Sequence, residues 1–405
     1  MEPVSQLAAP SRKHRLWAFP LAVFGVIAVV APLVATIVPS TAFVDKSRCT
    51  EFDTTSEVSP PPCLVEVKEA VEFALVPADA EPVLPRLAID GVPTYEPEGN
   101  VYFITVRQPP ITMLDWFVTR ENKAARFYSY RDKYGDQTED QLIQSGQRQM
   151  RSAKDNAMYV ALKAAGYDVT IKQGDVIVDF LLCLVANDAG TECLEFSPAD
   201  VLLDPGDVLK KVDGVDITII DDLAQILAEI EAGEVIEIEF ERGGVAMSGE
   251  IETILAPGED PPRTIIGFRP IDTTTVSLPS GLSVLFKTDS IGGPSAGLAF
   301  TLALIDALTE GDLTGGLDVA VTGTIDVEGN VGAIGGLNSK ASAVQQVGVK
   351  YLLVPVNQGE GGTDGIDRAR EVVGDDVEII PVATLQEALD ALVRLGGDPV
   401  VVTQG

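Results

Sequence analysis

Residues 291–308 read Ile-Gly-Gly-Pro-Ser-Ala-Gly-Leu-Ala-Phe-Thr-Leu-Ala-Leu-Ile-Asp-Ala-Leu, a glycine-rich turn that runs into an apolar helix. Pro294 suits the first helical position, where its missing N–H costs nothing, so the pattern predicts a helix over residues 294–308 with Ser295 in its first turn. The positive end of that helix would stabilise an oxyanion formed beside Ser295. On its own the motif is ambiguous, because a serine at a helix start usually has no catalytic role.

The sequence around this helix alternates strand-like and helical segments. Strands are expected at residues 283–286, 319–324 and 351–355, where β-branched and apolar residues cluster. Further helices are expected at residues 338–347 and 385–395, where apolar residues recur at helical spacing. This alternation predicts an α/β domain over residues 258–398.

The chain contains one histidine, His14, in a short basic segment before a long apolar stretch. A Ser-His-Asp triad and a histidine metal site are therefore excluded from the main body of the chain. No cofactor and no metal are expected. A nucleophilic serine would then need a lysine or a carboxylate as its base.

The predicted α/β domain contains three lysines, Lys287, Lys340 and Lys350. Lys340 shares a helical stripe with Ala343, Val344 and Val347, so its amine is expected to be partly desolvated. Desolvation disfavours the charged form and lowers the lysine pKa, which produces a neutral amine able to accept the proton of Ser295 near neutral pH. The alternative is a side chain that reaches solvent or pairs with a carboxylate.

Residues 168–257 alternate short apolar runs with turns, which is typical of a β-rich domain. The turn at residues 206–209, the hairpin at residues 212–214 and a helix predicted over residues 221–232 resemble the second half of a PDZ domain. PDZ domains bind an extended peptide as an added strand. The first half has no Gly-Leu-Gly-Phe-like carboxylate loop, so the sequence does not decide whether this domain binds free C-termini. A structural domain that binds no ligand is the alternative.

Residues 16–38 contain no charged residue, and a bilayer core needs about 20 apolar residues. Arg12, Lys13 and Arg15 precede this stretch, so the positive-inside rule favours a cytoplasmic segment at residues 1–15. We therefore expect a single-pass anchor in the cell membrane, with the later domains outside the cytoplasm. A cleaved signal peptide is the alternative.

The formal net charge of −32 repels phosphate backbones, so no nucleic-acid partner is expected. The four cysteines form two local pairs, Cys49 with Cys63 and Cys183 with Cys193. Outside the cytoplasm such pairs favour disulfides, and free buried thiols are the alternative. Residues 39–98 are rich in proline and acidic residues and are expected to be an irregular tether with a small N-terminal cap and no firm elements. A strand is expected from Val101, where apolar residues alternate, and a helix over residues 137–165.

Three ordered blocks resemble the proteolytic domain of Lon proteases. They are residues 291–298, quoted above, Thr322-Gly323-Thr324-Ile325, and residues 331–340 with the sequence Val-Gly-Ala-Ile-Gly-Gly-Leu-Asn-Ser-Lys. With the anchor and the PDZ-like segment, the chain is similar to the membrane-anchored, PDZ-containing Lon-like proteases of bacteria. The resemblance implies a catalytic dyad with Ser295 as the nucleophile and Lys340 as the general base and later acid. Thr322 would help to hold the lysine amine.

The sequence departs from the Lon pattern in two respects. It contains no Gly-x-x-x-x-Gly-Lys-Ser/Thr phosphate loop, so cleavage without ATP of exposed or unfolded segments is expected. Gly292 stands where many Lon enzymes have an acidic residue. Lon proteolytic domains resemble ring-formers, so a homo-hexamer is expected by analogy only.

These observations predict five regions: a cytoplasmic N-terminus (residues 1–15), a transmembrane anchor (16–38), an N-terminal region with a tether and a helix (39–167), a PDZ-like domain (168–257) and a Lon-like proteolytic domain (258–398). The predicted function is a membrane-anchored endopeptidase that acts on proteins or peptides presented by the PDZ-like domain. The alternative is an exported peptide-binding scaffold with an inactive Lon-like domain.

Overall fold

A computed structural model describes residues 32–52, 63–134, 138–172, 174–186, 193–256, 263–357 and 364–400. These residues fall into two compact units. The first unit contains the described residues up to Ala74 together with Gln108–Asn122 and Phe127–Ser129. The second unit contains Leu75–Arg107, Lys123–Arg126 and the described residues from Tyr130 onward.

The helices of the described residues are, in chain order, α1 Met113–Thr119, α2 Tyr130–Tyr134, α3 Glu139–Ala164, α4 Ile220–Ala228, α5 Gly297–Leu308, α6 Leu337–Val347, α7 Asp364–Val373 and α8 Leu385–Leu395. The strands are β1 Asp45–Phe52, β2 Cys63–Ala70, β3 Phe73–Pro82, β4 Leu87–Asp90, β5 Asn100–Arg107, β6 Arg126–Tyr128, β7 Thr170–Lys172, β8 Val176–Leu181, β9 Cys183–Ala186, β10 Cys193–Phe196, β11 Val208–Val212, β12 Val215–Asp216, β13 Val235–Arg242, β14 Val245–Glu252, β15 Ile254–Leu255, β16 Thr264–Ile265, β17 Phe268–Asp272, β18 Thr275–Ser277, β19 Ser283–Phe286, β20 Asp318–Val321, β21 Thr324–Ile325, β22 Val331–Gly332, β23 Tyr351–Pro355 and β24 Glu378–Val382.

The first unit contains an antiparallel pair of strands, β1 and β2, and the short helix α1. A capping box between Thr112 and Asp115 begins α1, because each residue bonds the other's backbone N–H. Residues 39–98 were expected to be irregular, and this expectation is wrong, since strands β1 to β4 lie within them. The proposed Cys49–Cys63 disulfide stays a prediction.

The expected membrane anchor lies mostly outside the described residues, because the structure describes only residues 32–38 of its span and none of residues 1–15. Within the part of the chain that the structure describes, no helix has the length and apolar character needed to cross a bilayer.

The core of the second unit is a mainly parallel sheet in the order β24-β23-β20-β5-β3. Strands β24, β23, β20 and β5 are parallel, and β3 pairs with β5 in the antiparallel sense. Val319 and Val321 of β20 pack into one cluster with α3, α5 and α8, while Ala320 packs into a second cluster with α6 and α7. Both faces of the sheet are therefore covered by helices, as parallel sheets require.

This sheet extends beyond the predicted limits of the proteolytic domain. Strands β3 and β5 come from the predicted N-terminal region, yet β5 pairs with β20 from the predicted domain at residues 258–398. Long-range pairing of this kind leaves no local signal in the sequence. A boundary at residue 258 therefore separates strands that belong to one sheet.

A second sheet is formed by strands that lie between β5 and β20 in the sequence, in the order β14-β13-β11-β8-β17. All of its neighbouring strands are antiparallel, and α4 packs on its apolar core. Strand β17 ends at Asp272, beyond the predicted limit of the PDZ-like domain at residue 257. A disulfide joins Cys183 and Cys193 beside this sheet.

Candidate active site

Ser295 lies in a tight turn that precedes α5. The turn follows Gly293, whose φ of 91° is in the region that favours glycine. The expected helix start at Pro294 is wrong, because α5 begins at Gly297. Ser295 therefore lies just before the helix rather than within its first turn.

The carbonyl group of Ser295 explains why the helix starts late. Its oxygen accepts the backbone N–H of Gly323 at 2.9 Å and the hydroxyl of Thr322 at 3.2 Å. In a helix that began at Pro294, this oxygen would accept an N–H four residues later. The bonds from the segment after β20 hold the serine backbone out of the helix and fix its position.

Lys340 lies in the first half of α6 and points into the interior, where its residue is 3% exposed. Its Nζ lies 2.7 Å from Ser295 Oγ and donates to Thr322 Oγ1 at 3.0 Å. Ala343 and Val344 of the predicted stripe are buried, whereas Val347 is exposed. The structure thus brings together all three residues that the sequence singled out.

The electrostatics of the site follow from this burial. Desolvation penalises the charged ammonium and lowers the pKa of Lys340 to about 7. A large fraction of the amine is therefore neutral at neutral pH and can accept a proton from the serine hydroxyl. Lys287 and Lys350, the other lysines considered, are exposed and keep their contact with water.

Thr322 is a fully buried residue whose hydroxyl connects the other two residues. Its backbone N–H donates to the carbonyl of Leu353 on β23 at 3.0 Å, which fixes it at the end of β20. Its side chain accepts from Lys340 Nζ and donates to the Ser295 carbonyl. Thr322 therefore orients the amine and the serine backbone at the same time.

Sequence reasoning missed one contact of the serine loop. The backbone N–H of Gly293 donates to the carbonyl of Gly146 on α3 at 2.8 Å. A Cβ at Gly292 would lie 3.1 Å from the carbonyl carbon of Gly146, so a larger residue at Gly292 changes the fit of the loop against α3. No local pattern signals this contact, because the bond uses the backbone carbonyl of Gly146, and a Cβ at Gly146 would have only ordinary contacts, the nearest at 3.6 Å.

Comparison with known proteins identifies this region. Residues 288–394 match the Lon protease (S16) C-terminal proteolytic domain. The Lon protease of Xanthomonas oryzae is 40% identical over 98 residues, which cover 24% of this chain and 11% of that protein. The Archaeal Lon protease of Methanocaldococcus jannaschii is 40% identical over 97 residues, which cover 24% of this chain and 13% of that protein.

A longer match, to the Lon protease of Clostridioides difficile, is 29% identical over 181 residues and covers 38% of this chain and 22% of that protein. The chain thus spans less than a quarter of the length of these relatives. The matched region is similar to a proteolytic domain of the serine peptidase class. More particularly, it is similar to the proteolytic domain of Lon proteases, and the predicted resemblance is confirmed for residues 288–394.

Solved structures were also compared. The PDZ domain of an SdrC-like protein from Listeria monocytogenes aligns at 16% identity with a TM-score of 0.20, covering 25% of this chain and 93% of that domain. The PDZ domain of an SdrC-like protein from Listeria innocua aligns at 17% identity with a TM-score of 0.17, covering 23% of this chain and 93% of that domain.

Proposed function

We propose that this protein is an endopeptidase in which Ser295 is the nucleophile and Lys340 is the general base. The observation that carries the proposal is the 2.7 Å distance between Lys340 Nζ and Ser295 Oγ, together with a lysine pKa of about 7. A nucleophile and a base within hydrogen-bond reach, with the base oriented by a third group, form the arrangement that covalent catalysis needs.

The first half of the reaction forms an acyl-enzyme. The neutral amine of Lys340 accepts the proton of Ser295 as Oγ attacks the peptide carbonyl carbon. The resulting ammonium then gives this proton to the leaving nitrogen, so the C–N bond breaks and an amine departs. The positive end of α5, which begins two residues after Ser295, stabilises the negative oxygen of the tetrahedral intermediate.

The second half repeats the proton transfers with water. Lys340 accepts a proton from water as the water oxygen attacks the acyl carbon. The ammonium then gives this proton to Ser295 Oγ as the bond between Oγ and the acyl carbon breaks, so the carboxylic acid product departs and the serine hydroxyl is restored. Thr322 remains bonded to the amine and keeps it directed at the serine. Ser295 and Lys340 thus account for every proton transfer of the hydrolysis while Thr322 orients the amine, and no cofactor takes part in the proposed mechanism.

The second sheet, in the order β14-β13-β11-β8-β17 and called the PDZ-like sheet below, is the element that we propose presents the substrate. Strand β17 is an edge of this sheet and contacts α4, so an extended peptide could add beside β17 in the groove next to the helix. The segment before β17, Ile266-Gly267, contains a glycine with a φ of 99°. This segment lies beyond the predicted boundary of the PDZ-like domain at residue 257.

Three further features complete the proposed function. Residues 16–38 would anchor the chain as a single span in the cell membrane, since they carry no charge. Arg12, Lys13 and Arg15 before this span favour a cytoplasmic N-terminus, which would place the proteolytic domain outside the cytoplasm. Cleavage would proceed without ATP, because the sequence has no phosphate loop of the Gly-x-x-x-x-Gly-Lys-Ser/Thr type. Assembly as a homo-hexamer is carried over from the Lon resemblance.

The test is cleavage of an unfolded protein by the full-length chain in detergent, with and without ATP. Ser295→Ala and Lys340→Ala should each lower the rate at least about 10³-fold, and ATP should have no effect. Lys350→Ala is the matched control, because this lysine is exposed and should leave the rate unchanged. Cleavage that persists in the Ser295→Ala chain contradicts the mechanism.

A serine-directed acylating probe separates the endopeptidase from an inactive scaffold. The wild-type chain should be labelled at neutral and alkaline pH, and Ser295→Ala should not. If neither chain is labelled, the protein is better explained as a tethered peptide-binding scaffold with an inactive proteolytic domain.

A further inference from the structure

An open cavity of about 680 Å³ lies at the start of α6, the helix that carries Lys340. One wall is the loop and first helical turn at residues 333–339. A second wall is formed by residues 123–126, and Gly365 and Arg368 of α7 also line the cavity. The residues assigned to the reaction above do not line this cavity.

The two walls are bonded to each other. Asn338 Nδ2 donates to the carbonyl of Lys123 at 3.3 Å, and the buried hydroxyl of Ser339 donates to the carbonyl of Ala124 at 2.5 Å. The segment at residues 123–126 is therefore fixed to the same helical turn that precedes Lys340. A side chain on this segment has a defined position relative to the catalytic lysine.

The lining of the cavity is cationic in a strongly acidic protein. The chain has 61 acidic and 29 basic residues, yet the lining contains Lys123, Arg126 and Arg368 and no carboxylate. Lys123 also pairs with Glu371 at 3.0 Å, and among the described residues no carboxylate forms a salt bridge with Arg368. The helix start adds positive potential, since Gly336 at the N-cap has no side chain to cap the first N–H groups.

The position of the cavity links it to a peptide held at Ser295. Leu337 and Ser339 line the cavity, and the next residue is Lys340, whose Nζ reaches the serine hydroxyl. An extended peptide advances about 3.3 Å per residue, so side chains a few positions from the scissile bond come within reach of the cavity. A carboxylate there would meet arginine side chains, which suit carboxylates by geometry and charge.

We propose that this cavity is a subsite for a carboxylate of the peptide substrate, supplied by a glutamate or aspartate side chain on one side of the scissile bond. The inference rests on the proposed endopeptidase function and names a substrate class for it, peptides with an acidic residue near the cleavage site. Arg368 and Arg126 are the specificity-determining residues of this subsite.

The experiment uses the full-length chain and quenched fluorescent peptides that differ only by glutamate or glutamine at each position around one scissile bond. At one position, the wild-type chain should cleave the glutamate peptide with a kcat/KM about fivefold higher than the glutamine peptide. Arg368→Gln should bring this ratio close to one, as expected for loss of one partly exposed charge interaction. An unchanged ratio in Arg368→Gln overturns the proposal.

Two controls make the result specific. Arg370→Gln removes a charge from the same helix, but Arg370 bonds Asp367 and lies outside the cavity lining, so the ratio should stay at the wild-type value. Arg368→Glu should instead favour a peptide with lysine at the same position. A ratio that falls equally in Arg370→Gln indicates a general effect of net charge and overturns the assignment.

Peptides with a free or an amidated C-terminus separate the two sources of a carboxylate. A preference that follows the free C-terminus and ignores the glutamate overturns the side-chain assignment and assigns the cavity to chain ends. Binding of the same peptides to the Ser295→Ala chain is measured in parallel by fluorescence anisotropy. If the wild-type chain cleaves none of the peptides, the proposed function fails, but the binding measurement still tests the subsite. Tighter binding of the glutamate peptide than of the glutamine peptide supports the subsite, and equal binding of the two overturns it.

Discussion

The backbone N–H of Gly293 donates to the carbonyl oxygen of Gly146 at 2.8 Å. This bond ties the turn that carries Ser295 to α3, a helix that lies far earlier in the chain. Gly292 allows the two backbones to approach closely, because a Cβ at this position would lie 3.1 Å from the carbonyl carbon of Gly146. The position of the serine hydroxyl therefore depends on α3 as well as on α5.

Gly292→Ala should lower kcat/KM by about 10- to 100-fold, because its Cβ would lie 3.1 Å from the carbonyl carbon of Gly146 and shift the loop. Gly146→Ala is the matched control. Its Cβ would have ordinary contacts, the nearest at 3.6 Å, and should stabilise α3 by about 1 kcal/mol without loss of activity. Peptide cleavage and thermal unfolding of both variants test the contact, and equal activity in the two chains speaks against it.

The dependence of kcat/KM on pH should follow the titration of Lys340. With a pKa of about 7, the rate should rise tenfold per pH unit well below pH 7 and level off above it, as the amine loses its proton. Lys340→Arg keeps the charge and should be inactive at every pH, because arginine cannot be deprotonated in proteins. A rate that is flat between pH 5 and about pH 7 is incompatible with an amine base.

Lys340→Met should stabilise the protein at neutral pH. The pKa of Lys340 is about 7 when folded and 10.5 when unfolded, so between these values the unfolded chain binds more protons and stability rises with pH. The penalty for burying the amine is complete below pH 7 and vanishes above about pH 10.5. Each pKa unit is worth about 1.4 kcal/mol, so we expect a gain on the order of a few kcal/mol at pH 6 that shrinks towards pH 10.

Urea unfolding of Lys340→Met and of the wild-type chain at several pH values measures this effect. Lys350→Met is the control, because this lysine is exposed and should not alter the pH dependence of unfolding. A loss of stability in Lys340→Met at every pH contradicts the burial penalty. A gain would also show that the proposed general base reduces the stability of the fold.

Asp306→Asn should stabilise the protein at pH 8 and have no effect below about pH 4. Burial in α5 raises the pKa of Asp306 to about 6 from 3.8, so the folded chain binds more protons between these values and stability falls as pH rises through them. The substituted amide keeps an oxygen acceptor for the N–H of Leu313, which donates to Asp306 Oδ1 at 2.8 Å in the wild-type chain. Thermal unfolding at pH 8 and pH 3.5 tests the expectation, and an equal shift at both pH values refutes it.

The ion pair between Arg148 and Asp179 joins α3 to β8 with an N–O distance of 2.5 Å, and the Asp179 side chain is 5% exposed. Arg148→Met should destabilise the chain by about 3 kcal/mol, because it leaves a buried carboxylate without its partner. Arg151→Met, on an exposed position of the same helix, should have little effect. The double variant Arg148→Met with Asp179→Leu should recover most of the lost unfolding free energy, measured by chemical denaturation. If it does not, the unpaired carboxylate is not the cause of the destabilisation.

The sequence carried clearer signals for the candidate site than for the fold around it. The single histidine, His14, and the apolar stripe at Lys340 pointed to a serine with a lysine base, and the structure places Lys340 Nζ 2.7 Å from Ser295 Oγ. The start of α5 at Gly297 was missed, since it depends on bonds that Gly323 and Thr322 make to the Ser295 carbonyl from a distant segment. No local pattern reports such a bond.

Strands β1 to β4 were missed for a similar reason, whereas the strand expected from Val101 is present as β5. Pro77 and Pro82 suggested an irregular segment, yet both lie in β3 and pair with residues of β5, and the register of this pairing shifts between Pro77 and Ala80, an irregularity at which a strand tolerates proline. The pairing of β5 with β20 joins residues that are far apart in the sequence. Only the folded chain brings these strands together.

Strand β5 has a practical consequence for anyone who wishes to express the catalytic part alone. It lies inside the mainly parallel sheet, between β20 and β3, whereas the match to the Lon proteolytic domain begins at residue 288. A recombinant fragment cut at residue 288 would expose the apolar flank of β20 and invite aggregation. A minimal fragment has to start upstream of Leu75 and retain the PDZ-like sheet as an insertion, or replace that sheet with a short linker.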